Sequence, residues 1–327
     1  MQTNEPRVGD LSGPIAATRP TSLKVGPKRF LPADIGGTAI LKFGKLTHTR
    51  FKKDGYTLAQ RVFGSPVKNA LVTARIGNVA ISGPAVDHYT SILFLADDYE
   101  PDLFKLLSRA KSIDYRFIDG GANIGYWSCL VASTVLGPKP TRAIEASLDT
   151  YRILHANSEV DGQRFTAVHA AIGPTSGAVL TFDESSAHAI RKISAHGTGL
   201  AQTGASSSVM SVSLDDLIRD FASGAPRQNV LIKLDLEGGE PPAIAALTGL
   251  GHDVVMVVED RLDDDSHASC KSLWDRGWTV AALETNGAIT TVVDVSDVVA
   301  AKRRGASNFL SFPAASLFAK ELFESTG

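Results

Sequence analysis

Residues 115–125, Tyr-Arg-Phe-Ile-Asp-Gly-Gly-Ala-Asn-Ile-Gly, contain the strand, turn and helix start that decide the fold. A short apolar run ends at Asp119, the chain turns at Gly120 and Gly121, and an apolar, helical segment begins at Ile124. A strand that stops at glycines and continues as a helix directs backbone N–H groups into a crevice at the carboxyl end of the strand. The stretch therefore predicts the first unit of an α/β fold, with a ligand site at that end.

The composition of this turn favours a positively charged ligand over a phosphate. Its spacing is similar to the dinucleotide fingerprint G-x-G-x-x-G, but Ala122 occupies the central glycine position, where a pyrophosphate needs close backbone approach. Asp119 adds a carboxylate at the rim, and two like charges about 4 Å apart repel by roughly 4 kcal/mol at an effective dielectric near 20. An acid suits the amino group and sulfonium of S-adenosylmethionine, so the turn predicts a methyl-donor site rather than a nicotinamide site.

The overall composition is that of an ordinary globular protein. The chain has 327 residues, 43% of them hydrophobic, and a formal net charge of −2. No apolar run approaches the ~20 residues that a membrane-spanning helix needs, and residues 1–13 lack the basic-then-apolar pattern of a secretory signal. Cys129 and Cys270 are too far apart in sequence for a metal or redox motif. A cytoplasmic location is expected.

Charge and proline content divide the chain into three parts. Residues 1–55 form a basic arm interrupted by prolines, which predicts poor order. The arm is either a solvated tail or a surface that docks on an anionic membrane or a glycan; no nucleic-acid partner is expected, because aromatic residues do not alternate with its basic residues. Residues 56–112 predict strands and a helix that pack on the core, and residues 113–327 predict the ligand-binding domain. The oligomeric state is not indicated.

Strand and helix patterns alternate from residue 101 onward. Pro101–Lys111 predicts a helix, Ile124–Leu136 predicts a second helix, and Ser147 is a good N-cap for a third. This alternation predicts a doubly wound, mostly parallel sheet of the Rossmann-like kind, with antiparallel strands at its C-terminal end. The predicted strands are 115–119, 142–145, 165–172, 230–236 and 254–259, followed by 278–283, 289–295 and 308–312.

Further candidate ligand residues follow the second and third strands. Glu145 ends the second strand and is placed to accept hydrogen bonds from both hydroxyls of a ribose. An acid at this position is common to methyl donors and nicotinamide cofactors, so it does not separate them. Ala170 and Ala171 end the third strand and leave room for a flat adenine ring.

The run Leu231-Ile-Lys-Leu-Asp-Leu-Glu-Gly-Gly-Glu240 contains the strongest catalytic candidates. In an extended strand Lys233, Asp235 and Glu237 fall on one face. A partly desolvated carboxylate there can hold the donor's amino group or take a proton from an acceptor hydroxyl. Two alternatives remain open: the acids share a divalent cation with Glu259 or Asp260, or Lys233 and Asp235 form an ion pair on a solvated strand end.

Six motifs in order make the chain resemble the FkbM-type methyltransferases over roughly residues 85–313. Two positions depart from the family pattern: Ala146 replaces a usual proline, and Gly120 replaces a branched residue. Neither change removes a ligand group. The motifs are Asp119-Gly-Gly-Ala-Asn-Ile-Gly125, Ala143-Ile-Glu-Ala-Ser147, Ala170-Ala-Ile-Gly173, Ser213-Leu-Asp-Asp-Leu217, Ile232-Lys-Leu-Asp-Leu-Glu-Gly-Gly-Glu240 and Val257-Val-Glu259.

This resemblance implies a class I fold that uses S-adenosylmethionine to methylate hydroxyls of sugars, glycans and polyketides. By position, it implies that Glu145 binds the ribose and that Asp235 and Glu237 lie beside the transferred methyl group. The residues that would cradle the methionine part of the donor are Asp119, Gly120, Gly121, Ala122 and Asn123.

The expected function is therefore O-methylation of a sugar, a glycan precursor or a related natural product. Asp235 and Glu237 are the candidate bases. His188 and His196 lie in a Ser/Ala/Gly-rich segment, 183–208, that can form a lid over the acceptor or a plain surface loop. The alternatives are a nicotinamide-dependent oxidoreductase and a non-catalytic adenosine-binding or assembly protein of the same fold.

Overall fold

The computed structural model describes residues 29–31, 71–84, 99–160, 165–183, 193–195, 206–221, 227–248, 251–262 and 264–324. These ranges form three sheets. The strands are β1 (Arg29–Leu31), β2 (Leu71–Ile76), β3 (Val79–Pro84), β4 (Arg116–Gly120), β5 (Thr141–Glu145), β6 (Phe165–His169), β7 (Ala171–Gly173), β8 (Val179–Asp183), β9 (Ile193–Ala195), β10 (Ser206–Ser213), β11 (Asn229–Leu234), β12 (Asp253–Glu259), β13 (Trp278–Leu283), β14 (Ile289–Val292) and β15 (Asn308–Pro313).

Helices alternate with the strands of the largest sheet. As predicted, Ser147 caps the third helix, its hydroxyl accepting a hydrogen bond from the Thr150 N–H. The helices are α1 (Pro101–Arg109), α2 (Tyr126–Val131), α3 (Leu148–Glu159), α4 (Leu214–Phe221), α5 (Glu240–Ala245), α6 (Ala268–Asp275), α7 (Val295–Arg303) and α8 (Leu317–Glu324). In the described ranges, none of these helices is long and apolar enough to cross a membrane.

The largest sheet has eight strands in the order β14-β13-β15-β12-β11-β4-β5-β6. The five strands from β12 to β6 are parallel, and β15, β13 and β14 pair antiparallel. This order and direction confirm the predicted mostly parallel, Rossmann-like sheet with antiparallel strands at its C-terminal end. The chain runs from β4 outward to β6 and then returns to β11 on the other side of β4. The sheet therefore has its topological switch point between β4 and β11, where ligands of such folds bind.

Each face of this sheet has its own apolar core. On the first face, Phe117, Leu231 and Val257 contact side chains of α1, α2, α3 and α8. On the second face, Ile118 and Ile232 contact side chains of α4, α5, α6 and α7. Burying one such large apolar side chain contributes about 1.5–3 kcal/mol to stability. Helices on both faces make the sheet doubly wound, as the sequence predicted.

Several predicted elements end earlier than expected, among them the strand 289–295, which ends at Val292 because α7 begins at Val295. The predicted strand 165–172 is divided, because β6 ends at His169 and β7 belongs to a second sheet of order β7-β10-β8-β9. The strand predicted over 230–236 ends at Leu234. The predicted helix 124–136 ends at Val131, since the Ser133 hydroxyl donates to the Leu130 carbonyl and turns follow. The ends of β6 and β11 are instead bonded to neighbouring strands, because the Ala170 N–H donates to the Glu145 carbonyl and the Asp235 N–H donates to the Gly120 carbonyl.

A small sheet of order β1-β2-β3 packs beside the main sheet. The strands β2 and β3 form a hairpin around Gly77 and Asn78, within residues 56–112, where the sequence predicts strands. β1 lies in the predicted basic arm and pairs antiparallel with β2. The rest of that arm, and residues 56–70 of the region predicted to contain strands and a helix, lie outside the described residues.

Asn157 fastens this hairpin to the ligand-binding unit. The side chain is fully buried; it accepts from the Ser82 N–H at 2.9 Å and donates to the carbonyls of Ser82 and Ile124 at 2.8 and 2.7 Å. Asn157→Ala leaves these backbone groups without that partner, and a buried unsatisfied polar group costs about 1–3 kcal/mol. We expect unfolding in urea to show a loss of at least about 2 kcal/mol. Glu159→Ala, an exposed change on the same helix, is the control, and equal stability of the two variants would contradict this role.

Candidate functional site

Polar side chains form a row along one edge of the main sheet, at the carboxyl ends of four parallel strands and at the start of the antiparallel strand β15. Each polar residue of the row lies two positions along its strand from a residue of the first apolar core. Residues two apart in a strand point to the same face, so the polar residues project from the face that carries this core. Two register pairs fix neighbours in this row: Lys233 lies opposite Asp119, and Glu259 lies opposite Asn308. The row crosses the switch point and consists of Glu145, Asp119, Lys233, Glu259 and Asn308.

Asp119 is buried, with 1% of its surface exposed. Its Oδ2 accepts hydrogen bonds from the Ser128 N–H at 3.1 Å and the Ser128 hydroxyl at 2.6 Å, which fixes the side chain against α2. Its Oδ1 is buried and has no hydrogen-bond partner. Burial raises the pKa of this carboxyl, and the nearby charge of Lys233 opposes that rise. Asp119 therefore combines a fixed orientation with one acceptor atom to satisfy.

The glycine turn is required by packing, and its amides point inward. Gly121 has φ +72°, and a Cβ there would lie 1.8 Å from the Asp235 carbonyl oxygen. A Cβ on Gly120 would lie 2.6 Å from a methyl group of Ile172. The N–H groups of Gly121 and Ala122 both donate to the Ile144 carbonyl at 3.0 Å. This differs from the expectation that these amides face a crevice: the close pairing of β4 with its neighbours occupies them.

Glu145 holds the far side of this turn. Its Oε2 accepts from the Asn123 N–H at 3.0 Å, and its Oε1 accepts from the Ser147 N–H at 2.8 Å. Asn123 has φ +52°, a left-handed conformation that is uncommon for a non-glycine residue. Ala171 is buried at the start of β7 and packs in a small cluster beside Ala146. Glu145 and Ala171 thus lie in one region, at the side of the turn away from the switch point.

Asp235 and Glu237 leave the strand before the expected alternation is complete. Because β11 ends at Leu234 and Glu237 has φ +55°, Lys233, Asp235 and Glu237 are not on one face of a strand as the sequence predicted. Asp235 is ion-paired with Lys233, with Oδ2 3.0 Å from Nζ. Glu237 is ion-paired with Arg261, which follows β12. The two carboxylates, each with a side chain 24% exposed, therefore have different cationic partners.

Glu237 and Glu259 both have pKa values raised above the ordinary range of a carboxyl group. Burial, followed by the charge of Asp235, raises the pKa of Glu237 to about 7. Burial, together with the charge of Asp235 and a hydrogen bond to it, raises the pKa of Glu259 to about 9. Both effects favour the protonated forms of Glu237 and Glu259 over the ionised forms. A carboxyl that titrates near pH 7 is suited to proton transfer.

The raised pKa of Glu237 predicts a pH-dependent stability. A carboxyl with a folded-state pKa of about 7, against an ordinary value of 4.5, holds a proton in the folded chain that the unfolded chain has released. Stability therefore falls as pH rises through that window. We expect the melting temperature of Glu237→Gln, relative to wild type, to increase from about pH 5 to about pH 8. A difference that stays constant with pH would mean that Glu237 titrates at its ordinary value.

The structure adds Glu100, which the sequence did not indicate. The Trp127 indole N–H donates to Glu100 Oε2 at 2.5 Å, and the Asn308 amide contacts Oε1 at 3.4 Å. Burial raises the pKa of Glu100. The charge of Lys233 opposes this rise, and the charge of Asp235 adds to it. Only the tertiary fold brings this residue, which precedes α1, to the strand ends. The alternation of side chains along a strand could have placed Asn308 on this face from the sequence. It could not have placed Glu100, which is not in a strand.

Backbone strain also concentrates at these strand ends. In the described part of the chain, four non-glycine residues have positive φ. Three of them surround the row, namely Glu100, Asn123 and Glu237; the fourth is His267. Strained conformations cost about 1–3 kcal/mol each and cluster at functional sites.

Asp260, one of the two acids that the sequence offered as a partner in a shared divalent-cation site, lies apart from the row. Asp260 Oδ1 lies 2.5 Å from Lys302 Nζ, and its Oδ2 accepts from the Cys270 N–H at 3.2 Å, so this side chain is engaged in the second core rather than in the row. Among the residues that the structure describes, no three His, Cys, Asp or Glu side chains are grouped to hold a metal. His188 and His196 lie outside the described residues.

Comparison with known proteins gives distant structural similarity. The chain matches no protein-family model and no curated protein. The precorrin-6y C5,15-methyltransferase from Geobacter metallireducens is 14% identical, over 65% of this chain and 86% of that one, with a TM-score of 0.32. P. horikoshii TYW2 in complex with MeSAdo is 12% identical, over 82% and 86%, with a TM-score of 0.36. The O-methyltransferase from Bacillus cereus in complex with SAH is 14% identical, over 66% and 82%, with a TM-score of 0.35.

The fold assignment rests on the order and direction of the strands in the eight-stranded sheet, which is Rossmann-like. Membership of the FkbM-type family stays a prediction.

Proposed function

We propose that this protein is an S-adenosylmethionine-dependent O-methyltransferase of the FkbM type that acts on a hydroxyl of a sugar, a glycan precursor or a related natural product. The observation that carries the proposal is the buried, unpartnered Oδ1 of Asp119 at the switch point of the sheet. A fixed acceptor atom among acidic side chains suits a ligand with a positively charged donor group. The ammonium group of the methyl donor has that chemistry.

The residues of the row fit the rest of the donor. The turn from Asp119 to Asn123 would hold its methionine part. Each carboxylate oxygen can accept two hydrogen bonds, so Glu145 can hold the turn and a ribose together. The amides of Gly121 and Ala122 are already bonded to Ile144, which removes the groups that a pyrophosphate would need. This bonding favours a methyl donor over a nicotinamide cofactor.

The different partners of Asp235 and Glu237 assign them different roles. S-adenosylmethionine supplies a methyl group on a positively charged sulfur. Asp235, ion-paired with Lys233, would stabilise positive charge in the site. Glu237, with its pKa of about 7, would take the proton from the acceptor hydroxyl as the oxygen forms its bond to the methyl carbon and the carbon–sulfur bond breaks. The requirement for such a base is the reason to propose a hydroxyl as the acceptor.

The first experiment is calorimetric titration of the full chain with S-adenosylhomocysteine and, separately, with NADH. We expect micromolar binding of S-adenosylhomocysteine and none of NADH. Asp119→Asn should weaken this binding, because it replaces a charged carboxylate with a neutral amide while keeping the shape of the side chain. Binding of NADH alone would establish the oxidoreductase alternative. Binding of S-adenosylhomocysteine without turnover over a broad acceptor panel would favour a non-catalytic protein.

A further inference from the structure

Lys233 is a buried charge in the middle of the acidic row. It is 3% exposed and lies in β11 between Ile232 and Leu234, both fully buried. Its register partner on β4 is Asp119, and its Nζ lies 3.0 Å from Asp235 Oδ2. A lysine is almost never fully buried unless it is paired. We therefore attribute the stability of this buried charge to the carboxylates around Lys233.

Carboxyl groups from four parts of the chain face this one ammonium group. Lys233 favours the ionised forms of Asp119, Glu100 and Glu259, in each case against the effect of burial. Glu237 has a separate cationic partner, Arg261. Removal of Lys233 would raise the pKa values of Asp119, Glu100 and Glu259 further, because burial would lose one of the effects that oppose it. The groups that face Lys233 are Asp119 from β4, Asp235 from the segment after β11, Glu259 from β12 and Glu100 from the segment before α1.

We propose that Lys233 is a positioning residue that joins the donor side of the site, at Asp119, to the methyl-transfer side, at Asp235, and supplies the positive charge between them. The geometry shows how Lys233 connects the two acids. Lys233 and Asp119 project side by side from the same face of the sheet, and the ion pair then fixes Asp235 where the chain leaves that face. The consequence for donor binding rests on the function proposed above, whereas the effect on the carboxyl groups does not.

The test compares Lys233→Met with Lys233→Arg and with Lys320→Met, an exposed control on α8. S-adenosylhomocysteine is titrated by calorimetry from about pH 6 to about pH 9. Removal of a partner charge shifts a carboxyl by about one to three pH units. We therefore expect Lys233→Met to bind at least about tenfold more weakly at pH 7 and to recover affinity at higher pH. Lys233→Arg and Lys320→Met should follow the wild-type profile.

A second readout examines the ligand-free protein. The ¹³C resonance of the Asp119 carboxyl, assigned with Asp119→Asn, should titrate at higher pH in Lys233→Met than in wild type. If Lys233→Met does not fold, Lys233→Gln takes its place in both experiments. An unchanged carboxyl midpoint, or weakening of equal size at every pH, would overturn the proposal. Wild-type protein that does not bind S-adenosylhomocysteine would refute the proposed function, while the carboxyl titration would still decide the role of Lys233.

Discussion

Glu237→Gln will lower kcat for methyl transfer by about 10²–10⁴-fold, the usual contribution of a positioned general base. The amide keeps the size of the side chain but cannot accept a proton from the acceptor. Glu237 is the expected base because burial and the charge of Asp235 raise its pKa to about 7. The measurement is turnover with an acceptor found by screening sugars and nucleotide sugars with the wild-type protein.

Two comparisons make this prediction specific. Glu159→Gln, at an exposed site on α3, should leave kcat unchanged, and the dissociation constant of S-adenosylhomocysteine should change little in Glu237→Gln. The acidic limb of the wild-type kcat profile should have its midpoint near the pKa of Glu237 and should be absent from the residual activity of the variant. If Glu237→Gln turns over at the wild-type rate, the base is another residue, and Asp235→Asn becomes the next variant.

Glu145→Ala will weaken binding of S-adenosylhomocysteine by about 100-fold or more. Two hydrogen bonds from ribose hydroxyls to a charged group contribute about 1.5–3 kcal/mol each, and about 2.7 kcal/mol corresponds to a factor of 100. The same change releases the Asn123 and Ser147 N–H groups that Glu145 holds at 3.0 and 2.8 Å. Both effects act in the same direction, because the turn loses its support as the ribose loses its acceptor.

Glu145→Gln separates these two effects. The amide oxygen can still accept from one backbone N–H, so the turn should be partly retained and the affinity should fall between those of wild type and Glu145→Ala. Glu159→Ala serves as the exposed control, measured by the same calorimetry. Binding of wild-type strength in Glu145→Ala would show that Glu145 only supports the turn and that the ribose lies elsewhere.

Asp119 supports the start of α2 as well as the ligand site, so the choice of variant determines which of these two roles is tested. Because its Oδ2 is bonded to Ser128 inside α2, Asp119→Ala would disturb the helix start as well as the ligand site. Asp119→Asn is the sharper variant, since it preserves shape and alters charge. The sequence placed Asp119 at the rim of the crevice, whereas the fold buries it and leaves a single oxygen atom without a partner.

The sequence by itself determined which segments form the main sheet and which polar residues lie near the strand ends, although β6, β11 and β14 end earlier than the apolar pattern predicts. Asp119 with its two glycines, Glu145 before Ser147, and the acids after Leu234 are readable because apolar runs, glycines and caps are local signals. Local signals also identified Ser147 as the N-cap and the C-terminal strands as antiparallel.

Only the tertiary structure decided how these residues are used. Contacts distant in sequence occupy the Gly121 and Ala122 amides with the Ile144 carbonyl, end the alternation after Leu234, and bring Glu100 beside Lys233 and Asp235. Burial then separates the chemistry of two carboxyls that are only two positions apart in the chain, Asp235 and Glu237. The physical reason is that hydrogen-bond partners and desolvation depend on which strands are neighbours, and sequence spacing alone does not specify them.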